Sequence, residues 1–536
     1  MRARLIPGLF LTVTVVALTI AAPLLADAQT PKRGGTLRVS YGNEIAHLDF
    51  HTAPGYEMMW VAMNVGCGLI NITPDGRFVP DVAESWKVSP DRLLYTFKLK
   101  PNVIFHDGTP VDAAAVKFSI DRLRDPETKS GMRTFYEAVQ AVEAVDPRTV
   151  QVQLKYPYAF FLHMLAGYRT GLVIYNPVAT QAYTVEDRKQ GKPEAVSGCG
   201  PFRLIEWVKG SHLVMDRFDK YFVPGRPYLD RVMIRVIKDP VTEMAAFKAG
   251  EIDFIASFSP EHVDTMKAQS PRAQIMTGKE TTPMLAQMKV TIPKDGKPMS
   301  KERAPHPIFS DIRVRKAVGC YGIDRKEIVK IAFKGQATPW VGIVPPGTLD
   351  TVNVNHMCPY NPTRSKALLA EAGYGPQKPL TFELMTNTEK SVFNVIATVI
   401  KEQMARIGVT ANIRLVDKVT WMTAANQDGP WDMYVEDLLS LLTLDSNAFL
   451  STTTASWNHS RHTDALVDDF YARYAREMNA VKRKAIAKEF AEFSADKLYW
   501  NTISGSPFFM IAQPWVKGYT YNAEFEVHWD TVWLDK

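Results

Sequence analysis

Residues 93–100 read Leu-Leu-Tyr-Thr-Phe-Lys-Leu-Lys, with Tyr95, Phe97 and Leu99 on one side and Thr96, Lys98 and Lys100 on the other. A period of two is that of a strand with one buried face. A shorter strand of the same kind follows the flexible pair Gly34-Gly35, and Val150, Val152 and Leu154 repeat the pattern after Asp146-Pro147-Arg148. Phe105-His106-Asp107-Gly108-Thr109-Pro110 is a tight turn, because Asp-Gly supports a backbone that few side chains tolerate. Residues 111–123 then read as a helix. Further on, Asp311 stands where it caps a helix that turns Ala317 and Val318 inward. Another helix enters through Pro362 and Thr363 and closes at Gly373.

One apolar run differs from the rest. Residues 9–20 follow two arginines and precede Ala26-Asp27-Ala28. The run is shorter than the roughly 20 residues a spanning helix needs, and a small-residue exit follows it, so it reads as a secretory signal cleaved after Ala28. A retained anchor is the alternative. No cysteine lies near the cleavage site, so no lipid anchor is expected there. The 536 residues carry 46% hydrophobic and 22% charged side chains, and 35 prolines and 31 glycines are scattered as turns, not gathered in a linker. The formal charge of +6 falls to +5 without the signal and is dispersed, which argues against nucleic acid as a partner.

Cys67, Cys199, Cys320 and Cys358 contain no C-x-x-C pair. Metal clusters and redox motifs are therefore not expected, while an oxidising compartment allows disulfides in any of three connectivities. Cys320 with Cys358 is the favoured pair, both lying in one half of the chain; four buried thiols are the alternative. His459 and His462, with Asp464 nearby, lack the further ligand that a metal site needs and read as a surface pair. Cys199 sits between glycines like a nucleophile, but no histidine is placed by motif to activate it.

Four stretches resemble one known family. Residues 198–255, GCGPFRLIEWVKGSHLVMDRFDKYFVPGRPYLDRVMIRVIKDPVTEMAAFKAGEIDFI, are similar to the middle of the peptide-binding subunits of ATP-driven bacterial importers. Residues 83–119, 309–329 and 360–374 match the same extracellular solute-binding family 5, in order and at family spacing. The resemblance implies the large, class II periplasmic binding protein fold: two α/β lobes joined by crossing strands, with an extra subdomain on the first. By position, 1–28 is the signal, 29–72, 196–285 and 506–536 form lobe one, 73–195 the subdomain, and 286–505 lobe two. The hinge is expected near 285–287 and 506–508. The implied function is a monomeric periplasmic receptor, without cofactor or metal, that captures a small solute and delivers it to an inner-membrane ABC permease. It is not expected to be an enzyme; a secreted hydrolase on a borrowed fold is the remote alternative, and no acid/base pair or nucleophile motif supports it.

The solute is less clear from the residues. Peptide binders of this family place an aspartate just before a D-P-D-N-F-like string. The corresponding string here is Asp445-Ser446-Asn447-Ala448-Phe449, and Leu442 stands where the carboxylate would fall. Asp437 lies five residues upstream as a substitute. Without that ion pair a buried ligand ammonium is left unmatched. The neighbourhood is instead aromatic, with Trp421, Trp431, Tyr434, Trp457, Tyr499 and Trp500, which suits an opine, an oligosaccharide or an aromatic compound as well as a peptide. The candidate contacts are Tyr56 and Glu57 in lobe one, and Asn387, Trp421, Asp437, Asp445 and Trp457 in lobe two.

Overall fold

Three sheets organise the chain in the computed structural model, which describes residues 30–536 except 53–55, 74, 167–171, 279, 281, 298–299, 438–451, 454, 456–457, 508 and 521–527. The expected signal lies outside the described residues. The first sheet has seven strands, ordered Gln274–Thr277, Phe509–Ala512, Phe254–Phe258, Thr36–Tyr41, Arg231–Val236, His212–Arg217 and Phe202–Val208. The second has six: Thr338–Pro339, Thr502–Ser506, Thr282–Met288, Met433–Asp437, Leu380–Asn387 and Val409–Val416. The third is antiparallel and lies within 73–195: Ala83–Val88, Leu94–Leu99, Thr149–Leu154 and Val139–Asp146. These are the two lobes and the added subdomain of a periplasmic-binding α/β fold.

All described strands of the second sheet fall between 282 and 506, so the chain passes between the two large sheets twice, after Thr277 and after Ser506. The first crossing corrects the expectation of 285–287. Leu285, Ala286 and Gln287 lie inside the second sheet, paired with Glu436, Val435 and Tyr434. The strand Thr282–Met288 is buried along its whole length.

Local signals are realised where they have a local cause. Tyr95, Phe97 and Leu99 all point into the subdomain core. The helix Ala113–Arg124 is capped by Asp112, whose side chain accepts from the Ala115 amide. Asp311 caps the short helix Ile312–Arg315, which widens into a π-type turn over Lys316–Tyr321 with Ala317 and Val318 buried. The helix Pro362–Glu371 is capped by Asn361, one residue ahead of the expected entry, and Gly373 closes it at φ +85°.

A disulfide closes the neck where the chain enters and leaves the subdomain. Cys67 and Cys199 form a disulfide with Cα atoms 5.3 Å apart, and Cys320 and Cys358 form the second, at 4.7 Å. The glycines beside Cys199 answer to close backbone approach: a Cβ at Gly198 would collide with the Val65 carbonyl oxygen. The subdomain also meets lobe two. Phe160 stacks on Tyr474 at 5.2 Å, the Ala159 amide donates to the Ala475 carbonyl at 2.9 Å, and Arg476 lies 4.5 Å over Tyr156.

A buried ionic pin fixes the subdomain to lobe one. Arg122, on the subdomain helix, grips Asp49 with two hydrogen bonds of 3.1 and 2.7 Å, and Arg188 adds a third at 3.1 Å. Tyr175 donates to the same carboxylate at 3.2 Å. Burial pushes the Asp49 carboxyl up, but Arg122, with His51 and Arg188 adding their fields, holds it down at about 2. Asp49→Asn leaves two buried guanidinium groups without a counter-charge, and we expect a loss of about 3–5 kcal/mol in urea unfolding at neutral pH. Because the folded carboxyl is depressed, the wild-type advantage is complete above the ordinary aspartate value and disappears as pH falls through about 2.

Candidate functional site

Three parallel strands of lobe two, Leu380–Asn387, Val409–Val416 and Met433–Asp437, end at one edge of their sheet. In open α/β sheets ligands bind beyond the carboxyl ends of strands. Each of the first two ends runs into a helix, Ser391–Arg406 and Lys418–Asn426, and the chain after Asp437 lies outside the described residues. In lobe one the strands Thr36–Tyr41, Arg231–Val236 and Phe254–Phe258 also run parallel to one another. The turn Pro260–His262, just beyond the last of them, touches lobe two: the Ser391 hydroxyl donates to Glu261 Oε1 at 2.6 Å. The two carboxyl edges therefore face each other.

At the lobe-two edge the strand ends deliver a charged cluster. Lys390 Nζ lies 2.5 Å from Asp437 Oδ2. Lys418 Nζ lies 2.5 Å from Glu389 Oε2 and 3.3 Å from Glu436 Oε2. Asn387 Nδ2 donates to Glu436, and its Oδ1 accepts from the Glu389 amide at 2.9 Å. The layer is graded in depth. Asn387 and Glu436 are sealed, whereas the side chains of Lys390, Lys418, Glu389 and Asp437 keep 39, 35, 24 and 19% of their surface accessible. Lys390 is the neighbour of Ser391, so its accessible surface lies beside the contact between the lobes.

The electrostatics follow that depth. Burial pushes the Glu436 carboxyl up to about 8; Lys418 opposes the shift, and Asp437 and Glu389 add to it. Burial also opposes the charge on Lys390, but Asp437 and Glu389 outweigh it and hold the ammonium above the usual lysine range. Lys418 is raised in the same way by Glu436 and Glu389, against burial.

The aromatic residues do something different from what their number suggests. Trp421 is 2% exposed and packs with Met385, Ala425, Trp431 and Tyr434 in a small core behind the strand ends. Its ring meets Tyr434 edge-on at 5.2 Å and carries Lys418 Nζ at 4.6 Å. The helix Lys418–Asn426 thus sets Lys418 over the buried ring of Trp421. Tyr434 hydrogen-bonds His459 Nδ1 at 2.7 Å, and His459 Nε2 meets Asn426 Oδ1 at 2.9 Å. His459 is buried, not a surface histidine, and burial holds its imidazole neutral, down to about 3. His462 faces Tyr499 instead, stacked at 4.2 Å. Among the described residues no three His, Cys, Asp or Glu side chains are grouped to hold a metal.

Of the residues expected from sequence, Asn387 and Asp437 come together, with Trp421 beneath them. Asp445 and Trp457 lie outside the described residues, and Tyr56 and Glu57 open the helix Tyr56–Val65 with side chains outside the description. Lys390, Lys418, Glu389 and Glu436 were not expected. The available signal was positional: each is at, or within three residues of, a strand end.

Comparison with known proteins agrees with this geometry. A family model described as bacterial extracellular solute-binding proteins, family 5 middle, matches residues 77–460. The glutathione-binding protein GsiB of Escherichia coli is 29% identical over 405 residues, 75% of this chain and 73% of GsiB. AgaA from A. tumefaciens, solved with agropinic acid, aligns with a TM-score of 0.79 at 25% identity, covering 94% of this chain and 99% of AgaA. The murein tripeptide binding protein MppA of Escherichia coli aligns at 0.80 and 24% identity over 94% of this chain and 99% of MppA. Against the unliganded open form of MppA the score falls to 0.69, over 94% of this chain and 97% of MppA. With two hinged lobes, facing strand edges and a family match over most of its length, the chain belongs to the bacterial extracellular solute-binding proteins of family 5, the receptors of ABC importers.

Proposed function

We propose that this receptor captures a zwitterionic, amino-acid-derived solute, of the size of a short peptide or an opine, as a periplasmic monomer that does not convert what it binds. The observation that carries the reading is the charged layer at the lobe-two strand edge. Asp437 and Glu389 are placed to receive a ligand ammonium, and Lys390 and Lys418 a ligand carboxylate, each exchanging its present partner for the solute. Asn387 would fix the layer from below, while Tyr56, Glu57, Asp445 and Trp457 remain the proposed contacts from the rest of the cleft. Asp437 thereby takes the part of the carboxylate missing near Leu442.

The same layer argues against an uncharged apolar or glycosidic solute. Closing the lobes over such a molecule would remove water from two ion pairs and return nothing for it, a cost that falls on buried charge without full pairing. A solute with matching charges meets no such penalty, and the unpaired groups left by a near relative are what reject it. Trp421, Trp431 and Tyr434, which suggested an apolar wall, instead pack against one another. Glutathione, bound by GsiB, and agropinic acid, bound by AgaA, are both acids, which supports a carboxylate on the solute without selecting a member.

A thermal-shift series on residues 29–536 tests this directly. Tripeptides of the glutathione kind or acidic opines are expected to stabilise the protein, by about 2.7 kcal/mol at a hundredfold excess over Kd, and neutral glycosides not at all. A response confined to neutral glycosides would remove the reading, and conversion of the bound solute, followed by mass spectrometry, would remove the receptor assignment. Lys390→Met is expected to weaken the responding solute by about 2–5 kcal/mol in calorimetry, since the ligand carboxylate then loses a buried counter-charge. Trp421→Ala should be distinguishable from it: we expect a loss of about 3–5 kcal/mol in folding stability, read by unfolding without any solute.

A further inference from the structure

The contact between Glu261 and Ser391 lies outside the charged layer and has a separate physical role. Ser391 is the first residue of the 16-residue helix Ser391–Arg406, and Lys390 before it makes no side-chain cap. Other helices of the same lobe carry their own caps, Asp417 for Lys418–Asn426, Asp464 for Ala465–Arg476 and Asn479 for Ala480–Lys497. The first amides of a helix have no partner within it and form the positive end of its dipole. The carboxylate that stands at this helix end comes from the opposite lobe. Its Oε1 accepts from Ser391 Oγ, and its Oε2 is buried with no hydrogen-bond partner among the described residues. Glu261 is held firmly on its own side, because Val263 and Met266, in the helix that follows, pack with Phe258 and Phe509 of the lobe-one core.

We propose that Glu261 and Ser391 form a closing latch, an interlobe hydrogen bond at a helix end that exists only when the lobes are shut. Glu261 is a positioning residue: it acts through the open–closed equilibrium and not through the solute. The proposal rests on the receptor reading only in requiring that the lobes open and close, and it is independent of the solute's class. A latch of this kind raises the closed fraction, and apparent affinity scales with that fraction. Removing it weakens every solute by one common factor and leaves the ratios between solutes unchanged. For a charge-assisted hydrogen bond the factor is about tenfold or more.

Lobe separation can be read by pulsed electron paramagnetic resonance between nitroxides at Val241→Cys in lobe one and Val481→Cys in lobe two, which are 65 and 82% exposed. The four native cysteines are in disulfides, so only the new thiols take label. The probe is glutathione, and distributions are recorded with and without it. We expect a short-separation population in the labelled parent that falls about tenfold relative to the open one in Glu261→Ala and in Ser391→Ala, with no further fall in the double variant. Glu261→Gln, which keeps an acceptor, should recover part of it. An unchanged short population in both alanine variants overturns the latch, as does a parent protein that shows only the long separation in both conditions. Glutathione that fails to bind, while the ligand-free distribution still responds to Glu261→Ala, removes the proposed solute class and keeps the latch. Glutathione that binds alike to parent and variants, with identical distributions, does the reverse.

Discussion

Among the described strands the chain passes between the two large sheets twice, after Thr277 and after Ser506, and the rest of the molecule's behaviour follows from that. Each lobe has a hydrophobic core of its own, and a third cluster packs the subdomain against lobe two through Phe160 and Tyr474. Closure is then decided by a modest set of contacts across the cleft, and a solute that bridges the lobes can shift the balance with its own differential binding energy. The subdomain fits this logic. It is pinned to lobe one by Asp49, with the Cys67–Cys199 disulfide closing the neck where the chain enters and leaves it, yet stacks Phe160 on Tyr474 of lobe two, adding a second contact that spans the lobes.

The chemistry of the cleft is set by what the strand ends carry. Parallel strands present their carboxyl ends side by side, and here those ends bring two lysines and two acids into one layer over a sealed Asn387–Glu436 pair. A preformed layer of opposite charges costs little reorganisation when a zwitterion arrives, and it is expensive to cover with anything else. Trp421 contributes from below by fixing the lysine that lies on its face.

Features with a local cause were legible in the chain. Alternation placed Tyr95, Phe97 and Leu99 in a core, and an aspartate ahead of an apolar run placed the Asp311 cap, because neighbours in sequence decide both. Cys320 and Cys358, only 38 residues apart, could be paired by proximity; Cys67 and Cys199 could not, because a whole subdomain separates them. The charged layer escaped for the same reason. Its members come from 387–390, 418 and 436–437, and each segment alone shows only a polar residue after a strand. Aromatic richness around 421–434 misled because composition reports that large rings are present, not whether they face a cleft or one another.

The central claim is that a charged strand edge, closed over by two hinged lobes, determines what this receptor carries. Native mass spectrometry of the protein purified without denaturation, followed by release of its bound solute for chemical identification, tests it most directly. The account predicts one solute per chain that bears both an ammonium and a carboxylate. A bound solute that is neutral and apolar would contradict it.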